Sequence, residues 1–463
     1  MKRMRYFFAG ICVLVLGAGL IACGSSSTMT SNPGQNPPPA SAHVAIYGQD
    51  APLASVLTFQ LTLVSMTASD GVNTTTLLST PQTVDFARLT GLRTLLDLNT
   101  APVGSYTSVT LMLASPTIGY IDTTTNPPSV KMLNGSLTTS SVTVLMNPPL
   151  VLTDTDLNGL RLDFDMRQSL QVDLNGQITG TVVPTFDVRQ VNPANAEADI
   201  DDLRGGVVSV NTTNQTFVMQ IANGRQITVQ IGPSTVTDSG DDLSTFNSNT
   251  IVEVSGELNR TTMMLDADEV SVLSQNHFIA DGLITNVQPP TQTDTNIGLF
   301  VREALPANPA FPPDTIDPFD LPANARYMIY RLNLPITQLL FNSGNLITGQ
   351  NITVGGQLNG SSLTVKRVVL HRQGIYGPWI PGSTVVQNGN AGSFQVTEKG
   401  IVGVLLNNAP LTILTSNATN FDGLSGLSAL TGTQAIPLHV VGLLLQDPAT
   451  GGPVLVANRV STP

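Results

Sequence analysis

Residues 56–64 read VLTFQLTLV, and residues 108–113 read SVTLML. In both segments apolar side chains recur at every second position, which is the period of a β-strand with one face on a hydrophobic core. Turn sequences such as Asn134-Gly135 and Asn158-Gly159 separate segments of this kind, and Asn-Gly tolerates the positive φ of a tight hairpin. No long stretch shows a convincing 3.6-residue period. Residues 43–192 are therefore predicted to form an antiparallel β-sandwich.

The composition is typical of an exported β-rich protein. The chain has 463 residues, of which 41% are hydrophobic and 11% are charged, against about 25% charged in an average chain. This length corresponds to roughly three domains and can bury a sizeable core. The net charge of −12 argues against nucleic acid as a partner, because phosphate binding needs clustered cations.

The N-terminus has the features of a secretory signal. The apolar stretch 6–19 follows Lys2, Arg3 and Arg5 and is short for a membrane span. Residues 20–23 read LIAC, which resembles the lipobox of bacterial lipoproteins. The resemblance implies that residues 1–22 are a lipoprotein signal peptide and that Cys23 is lipidated with diacylglycerol. The alternative is an ordinary secretory signal with a chance cysteine.

Residues 23–42 are rich in Ser and Pro and are predicted to be a tether. Removal of the signal peptide leaves 17 cationic against 32 anionic residues, a net charge of −15, so we expect the membrane to hold the chain through acyl chains. Gly24 follows the lipidated cysteine where an Asp would favour retention in the inner membrane. The expected location is the cell envelope, on the outer membrane of a Gram-negative-type bacterium.

Several motifs of the first domain resemble the bacterial lipoprotein family called domain of unknown function 4382. They are residues 95–98 (LLDL), residues 102–111 (PVGSYTSVTL), residues 162–165 (LDFD) with Ser169, and residues 47–52 (YGQDAP). The similarity covers about residues 43–191. The family carries no assigned activity, so the resemblance implies an anchored, exported β-domain and nothing about chemistry.

The second half of the chain repeats itself. Residues 251–256 (IVEVSG), 351–356 (NITVGG) and 437–442 (PLHVVG) each read as a strand that ends in Gly, and each precedes a hairpin and a second strand. The period of about 70 to 100 residues is too long for a solenoid and suits separate small β-modules.

We therefore predict three modules after an acidic linker at residues 193–203. The modules span 204–273, 278–372 and 374–463, and the second carries a Pro-rich insertion at 304–322. The pattern is similar to the repeats called domain of unknown function 5666. That resemblance implies small closed β-barrels of five or six strands, with an OB-like barrel as one option. The predicted fold class is all-β, a sandwich followed by three barrels.

One loop has the spacing of a calcium ligand set. Residues 154–159 read DTDLNG, and alternating carboxylate and amide oxygens can wrap one hard cation. The candidate ligands are Asp154, Asp156, Asn158 and Asp165. The alternative is a plain hairpin turn, since Leu-Asn-Gly recurs elsewhere in the chain. Two acidic groups are predicted to be solvated loops, with calcium or magnesium as the alternative: Asp199, Asp201 and Asp202, and then Asp238, Asp241 and Asp242.

Candidate ligand-binding aromatics are Tyr376 and Trp379, in a Gly/Pro-framed loop that could stack on a sugar ring. The alternative for Trp379, the only tryptophan, is a packing role between modules.

No catalytic set stands out in the sequence. The four histidines are scattered singly, no cysteine follows Cys23, and no G-x-S-x-G occurs, so the protein is predicted not to be an enzyme. The predicted function is a membrane-anchored envelope lipoprotein with non-catalytic binding or scaffolding modules for a protein or glycan partner. No cofactor other than calcium is expected. The alternative is an envelope hydrolase that uses Asp-rich loops of the first domain.

Overall fold

Strands account for 64% of the computed structural model and helices for 6%, which confirms the all-β prediction. The structure describes residues 40–462 except 52, 54, 79, 123–128, 175–176, 193–198, 222–223, 238–240, 276–277, 289–293 and 330–338. The predicted signal peptide, Cys23 and the tether up to residue 39 lie outside the described residues. Ala40–Pro463 form one unit. None of the described helices has the length and hydropathy to cross a bilayer.

The first domain contains strands that are grouped into three sheets. Their bounds are β1 (Ser41–Ala51), β2 (Val56–Ser69), β3 (Thr74–Leu78), β4 (Gln82–Asp85), β5 (Thr94–Pro102), β6 (Gly104–Asp122), β7 (Ser129–Asn134), β8 (Ser136–Leu137), β9 (Ser141–Leu152), β10 (Asn158–Asp165), β11 (Leu170–Val172), β12 (Ile178–Val182) and β13 (Phe186–Val191). A 3-10 turn spans Phe86–Leu89, and the short helix α1 spans Met166–Ser169. One sheet has the order β13-β10-β1-β5, and a second has the order β3-β2-β6-β7 with β4 on β2 and β9 on β6. The third has the order β11-β12-β8.

The alternation in residues 56–64 places one face of β2 in the core of this domain. Phe59, Leu61 and Leu63 are buried there, and the Phe59 ring stacks on Phe164 of β10 at 4.9 Å between centroids. The sandwich is not wholly antiparallel, because β1 and β10 pair in parallel. Parallel neighbours need a long connection, and here more than a hundred residues separate the two strands.

Module 1 is a closed barrel with the order β14-β15-β16-β18-β17. Its strands are β14 (Ile200–Asn211), β15 (Thr216–Ile221), β16 (Gln226–Thr237), β17 (Ile251–Leu258) and β18 (Leu265–Ser274), and a 3-10 turn spans Leu243–Thr245. Its first three strands are an antiparallel meander, and the barrel closes where β18 lies parallel to β16. The predicted linker at residues 193–203 is wrong in its second part, since Ile200 already begins β14.

Module 2 repeats this pairing scheme, but its described strands form an open six-stranded sheet and not the predicted closed barrel. Its strands are β19 (Ile279–Val287), β20 (Asp294–Leu305), β21 (Thr315–Pro322), β22 (Arg326–Ile329), β23 (Asn351–Asn359) and β24 (Ser362–Leu370), with a 3-10 turn at Ser343–Asn345. The sheet order is β21-β20-β19-β23-β24-β22. Its two end strands follow each other in the chain, and β22 lies parallel to β24, so together they take the place of β16.

The Pro-rich stretch 304–322 is therefore not an insertion, because it supplies strand β21. Pro318 and Pro322 lie in this strand, which pairs with β20 on one side. Proline lacks an N–H and is confined to strands with a free edge. Phe311 and Phe319 from the same stretch are buried in the core of the module.

Module 3 has the order β25-β30-β31-β28-β27-β26, with β29 on β31. Its elements are β25 (Gln373–Pro378), β26 (Val385–Asn388), β27 (Ala391–Val396), α2 (Ile401–Leu405), β28 (Leu411–Thr415), β29 (Asn420–Asp422), β30 (Pro437–Gln446) and β31 (Pro453–Ser461), with a 3-10 turn at Leu427–Ala429. Here β28 lies parallel to β31, and a bridge between Trp379 and Val396 links the end of β25 to β27.

The repeated glycine occupies the same structural position in all three modules. The strand register shifts at Gly256, Gly356 and Gly442, which marks a β-bulge in each hairpin. A Cβ at any of the three would collide with a carbonyl oxygen of the partner strand. The repeat in the sequence thus encodes a bend that every module uses.

Candidate functional site

The structure does not bring the four calcium candidates together. Asn158 begins β10 and Asp165 ends it, a distance of about 23 Å at roughly 3.3 Å per residue. The Asn158 amide donates to the carbonyl oxygens of His43, Thr153 and Asp156 at 2.9–3.0 Å. The described residues contain no group of three or more His, Cys, Asp or Glu side chains arranged to hold a metal ion.

Asp165 and Asp156 each have a separate contact within the protein. Asp165 caps helix α1 by accepting a hydrogen bond from the Gln168 backbone amide at 3.0 Å. Asp156 lies 3.7 Å from Arg260 of module 1, and its side chain is more than half exposed. The turn at Asn158 is thus held by its own amide, but the predicted hairpin is wrong, because β9 pairs with β6 whereas β10 pairs with β1 and β13.

The two candidate aromatics are packing residues in this structure. Trp379 is 2% exposed in the core of module 3, and its indole donates to Thr384 Oγ1 at 3.0 Å. The Tyr376 ring lies against His439, and the Arg167 guanidinium of the first domain covers it at 4.5 Å. Neither ring presents a face on which a sugar could stack.

Two acidic residues predicted to be solvated are buried in ion pairs between modules. Asp241 is 1% exposed and accepts two hydrogen bonds from Arg367 of module 2, at 2.9 and 3.2 Å. Asp201 is also buried and accepts from Arg459 of module 3 at 3.0 Å. This role could not be predicted from the sequence, because an Asp-rich segment has the same local sequence whether its carboxylates are solvated or pair with an arginine of a distant strand.

A closed ring of polar contacts joins modules 1 and 2. Arg204 pairs with Glu253 at 2.6 Å and with Asp281 at 2.5 Å. Glu253 lies 3.0 Å from His371 Nδ1, whose Nε2 lies 2.7 Å from the Thr353 hydroxyl. Thr353 donates to Asp281 at 2.8 Å, which completes the ring.

The cations of this ring lower the pKa values of its two carboxyl groups. Burial raises the pKa of Asp281, but Arg204 and other cations outweigh it and hold the pKa at about 2. Burial likewise acts on Glu253, and His371 with Arg204 places its pKa well below the ordinary value. Both carboxylates are therefore ionised structural anions at neutral pH.

The repeats contain a signal that could have located this junction. Glu253, Thr353 and His439 occupy the third position of IVEVSG, NITVGG and PLHVVG. This polar residue interrupts an otherwise apolar strand. Glu253 contacts His371 of module 2, and Thr353 belongs to the ring at the same joint, whereas His439 is buried against Tyr376 of its own module. The polar third position therefore marks the joint between modules 1 and 2.

Arg459 forms a second junction. Its Nη2 donates to the Gly91 carbonyl at 2.6 Å and to Asp201 at 3.0 Å, and the Arg93 amide donates to the same Asp201 oxygen at 3.1 Å. Burial raises the pKa of Asp201, but the charges of Arg459, Arg372 and Arg93 lower it by a larger amount, so the net shift of the pKa is downward. One arginine thus joins module 3 to module 1 and to the first domain.

A cleft of about 550 Å³ opens between the first domain, module 1 and module 2. Its lining combines an apolar wall with a polar one. The lining residues are Gln60, Pro81, Gln82, Thr83, Val84, Asp85, Arg88, Leu89, Thr94, Leu95, Leu96, Leu203, Arg204, Ile221, Arg302 and Glu303. These lining residues include no Ser, Cys, His or Lys.

The carboxylates of the cleft are committed to protein partners. Asp85 accepts from the Phe59 and Ala87 amides at 2.9 and 3.2 Å, and Glu303 lies 3.5 Å from Arg88. Arg302 donates to the Leu57 carbonyl at 3.1 Å. Burial lowers the pKa of Arg302, although Asp85 acts in the opposite direction.

The motif residues of the first domain have structural roles. The Tyr106 hydroxyl donates to the Pro102 carbonyl at 2.8 Å, and Ser169 Oγ accepts from the Thr185 amide at 3.0 Å. Asp50 is fully buried, and burial raises its pKa well above the ordinary value. Tyr106 and Ser169 thus stabilise the backbone of the first domain.

Comparison with known proteins gives one result for the first domain. No curated protein matches the chain. Residues 41–181, from β1 to β12, match the family model "Domain of unknown function (DUF4382)", so the resemblance drawn from the motifs is confirmed for this domain.

Proposed function

We propose that the protein is a lipid-anchored envelope protein whose β-modules form a non-catalytic body for binding or scaffolding. The observation that carries the proposal is the set of buried ion pairs between modules, above all the ring of Arg204, Glu253 and Asp281. Breaking one partner of a buried pair costs about 3–5 kcal/mol. Such joints fix the modules relative to one another, which suits a protein that presents a surface at the end of a tether.

The lipobox at residues 20–23 and the Ser/Pro-rich tether support the anchored part of the proposal. Tandem modules that could be connected by loose linkers are instead joined by Arg459 and Arg367, each with a buried aspartate. A scaffold that spaces a partner from the membrane, or a receptor that holds a ligand in the cleft, both need this fixed geometry. We place the protein at the outer membrane of a Gram-negative-type bacterium.

The hydrolase alternative needs two carboxylates that are free to act on one substrate. Asp85 and Glu303 do share the cleft, but each has a protein partner within 3.5 Å. The binding or scaffolding hypothesis is therefore favoured over the hydrolase hypothesis. Turnover of a glycan or peptide that is lost in Asp85→Asn would overturn it.

Mass spectrometry of the mature N-terminus tests the anchor. We expect the protein to begin at a diacylglycerol-modified Cys23 and to fractionate with membranes. Cys23→Ser should release the chain to the soluble fraction, and Ser26→Ala serves as the matched control that leaves anchoring intact. An unmodified N-terminus at another residue, or a Cys23→Ser chain that stays with the membrane, contradicts the proposal.

A further inference from the structure

We propose that the cleft between the first domain, module 1 and module 2 binds a small amphiphilic carboxylate. Its carboxylate would lie on Arg302 and Gln82, and its apolar body would lie along the leucine wall of the cleft. This inference rests on the proposed function, in that it names the ligand class of the binding body. It does not depend on the lipid anchor.

Two buried donors in the cleft have no partner among the described residues. They are Nε of Arg302 and Nε2 of Gln82, which come from different parts of the chain, β20 of module 2 and β4 of the first domain. Gln82 is 9% exposed. A buried donor without an acceptor is unfavourable, so two such donors on residues that line one cleft indicate a site for an acceptor that arrives from outside.

The charge of the lining favours an anionic acceptor. Arg88, Arg204 and Arg302 line the cleft beside Asp85 and Glu303. Arg204 already pairs with Glu253 and Asp281, whereas Nε of Arg302 has no partner among the described residues. A carboxylate oxygen accepts charge-assisted hydrogen bonds from guanidinium and amide groups, so one carboxylate would pair both donors.

The apolar residues of the lining favour an apolar body on the same ligand. Leu89, Leu95, Leu96, Leu203 and Ile221 line the cleft, and each of these side chains is at most 9% exposed. Ligand pockets have volumes of about 300–1,000 Å³ and combine apolar walls with a few placed polar groups. At about 550 Å³ the cleft has the size and the lining for a short alkyl carboxylate.

Isothermal titration calorimetry with decanoate tests the inference. The protein is the full mature chain with Cys23→Ser, which keeps every described residue and needs no detergent. We expect saturable binding of decanoate at pH 8. Decan-1-ol, which lacks the charge, and acetate, which lacks the chain, should each bind at least tenfold more weakly. Equal binding of the alcohol, or no saturable binding of decanoate, overturns the proposal.

Two variants locate the carboxylate. Gln82→Glu has the same shape but places an anion at the site, and Arg302→Met removes the cation. Each should weaken decanoate binding at least tenfold. Arg326→Met, on the same module but outside the cleft, is the matched control and should bind as the parent does. Melting curves verify that each variant folds. If Arg302→Met does not fold, Gln82→Glu alone still tests the site.

Unchanged decanoate binding in a folded Gln82→Glu variant overturns the assignment of the site. The outcome for the anchor is separate. If Cys23→Ser leaves the protein on the membrane, the proposed anchoring fails, while the titration still decides whether the cleft takes a carboxylate.

Discussion

Gly374→Ala tests how closely the first domain and module 3 approach each other. Gly374 is the second residue of β25. A Cβ at this position would lie 2.5 Å from the carbonyl carbon of Thr90 and 3.2 Å from Cα of Gly91, both in the first domain. Since Gly374 does not have a positive φ, the substitution changes only the space between the two backbones.

The size of the effect follows from these distances. Ordinary van der Waals contact of a Cβ begins at 3.4 Å, and the Thr90 carbonyl oxygen lies closer to the added Cβ than the carbonyl carbon does, so the Thr90 carbonyl group must retreat by at least about 1 Å. The next carbonyl, Gly91, accepts from Arg459 at 2.6 Å, and a retreat of this size would take that pair beyond hydrogen-bond range. A hydrogen bond to a charged group contributes about 1.5–3 kcal/mol, and overpacking costs about 1–3 kcal/mol. Together these contributions predict a loss of about 2.5–6 kcal/mol in the free energy of unfolding.

Urea unfolding of the parent protein and of Gly374→Ala measures this loss, and Gly206→Ala is the control. A Cβ at Gly206 meets nothing within 4 Å, so its stability should change by less than about 0.5 kcal/mol. In Gly374→Ala the first domain should also unfold in a transition of its own. A Gly374→Ala protein that unfolds like the Gly206→Ala control would refute the close approach.

Three further predictions concern individual residues. Burial raises the pKa of Glu398 to about 7, so the folded state binds the proton of this carboxyl group more tightly than the unfolded state does. The stability that this protonation contributes is therefore lost as pH rises from about 4.5 to 7. Urea unfolding at pH 5, 6 and 7.5 should show a flatter pH dependence of stability in Glu398→Gln than in the parent protein. Gly442→Ala should lower the melting temperature by several degrees, because its Cβ would meet the Val456 carbonyl carbon at 2.8 Å, whereas Gly206→Ala should not. Trp379→Ala should cost about 3–5 kcal/mol in unfolding free energy, since the ring is buried; an unchanged stability would restore a surface role for this side chain.

The strands could be predicted from the sequence, but their partners could not. The inward residues of β2, such as Phe59 and Leu61, are those that the alternation singles out. The parallel neighbours β1 and β10 are far apart in the chain, and a local pattern does not specify which distant strand will pair. The Pro-rich stretch 304–322 looks like an insertion in the sequence for a related reason. Its prolines are compatible with a strand only at the edge of a sheet, and the local sequence does not show where that edge is.

The site was less accessible to sequence reasoning. Asp154 and Asp156 have ligand-like spacing, yet Asp165 lies at the far end of a strand, because an extended chain of eight residues carries its ends apart. The cleft draws on β4, β5, β14, β15 and β20, so no single segment contains its pattern. Only the recurrent polar third position of the repeats pointed to the joint between modules 1 and 2.

A crystal structure of the mature chain with decanoate tests the central claim, that the joined modules form a body with a ligand site in the cleft. We expect the carboxylate within hydrogen-bond distance of Arg302 Nε and Gln82 Nε2, with the alkyl chain against Leu95 and Leu203. Decanoate bound at another surface, with an empty cleft, would contradict it.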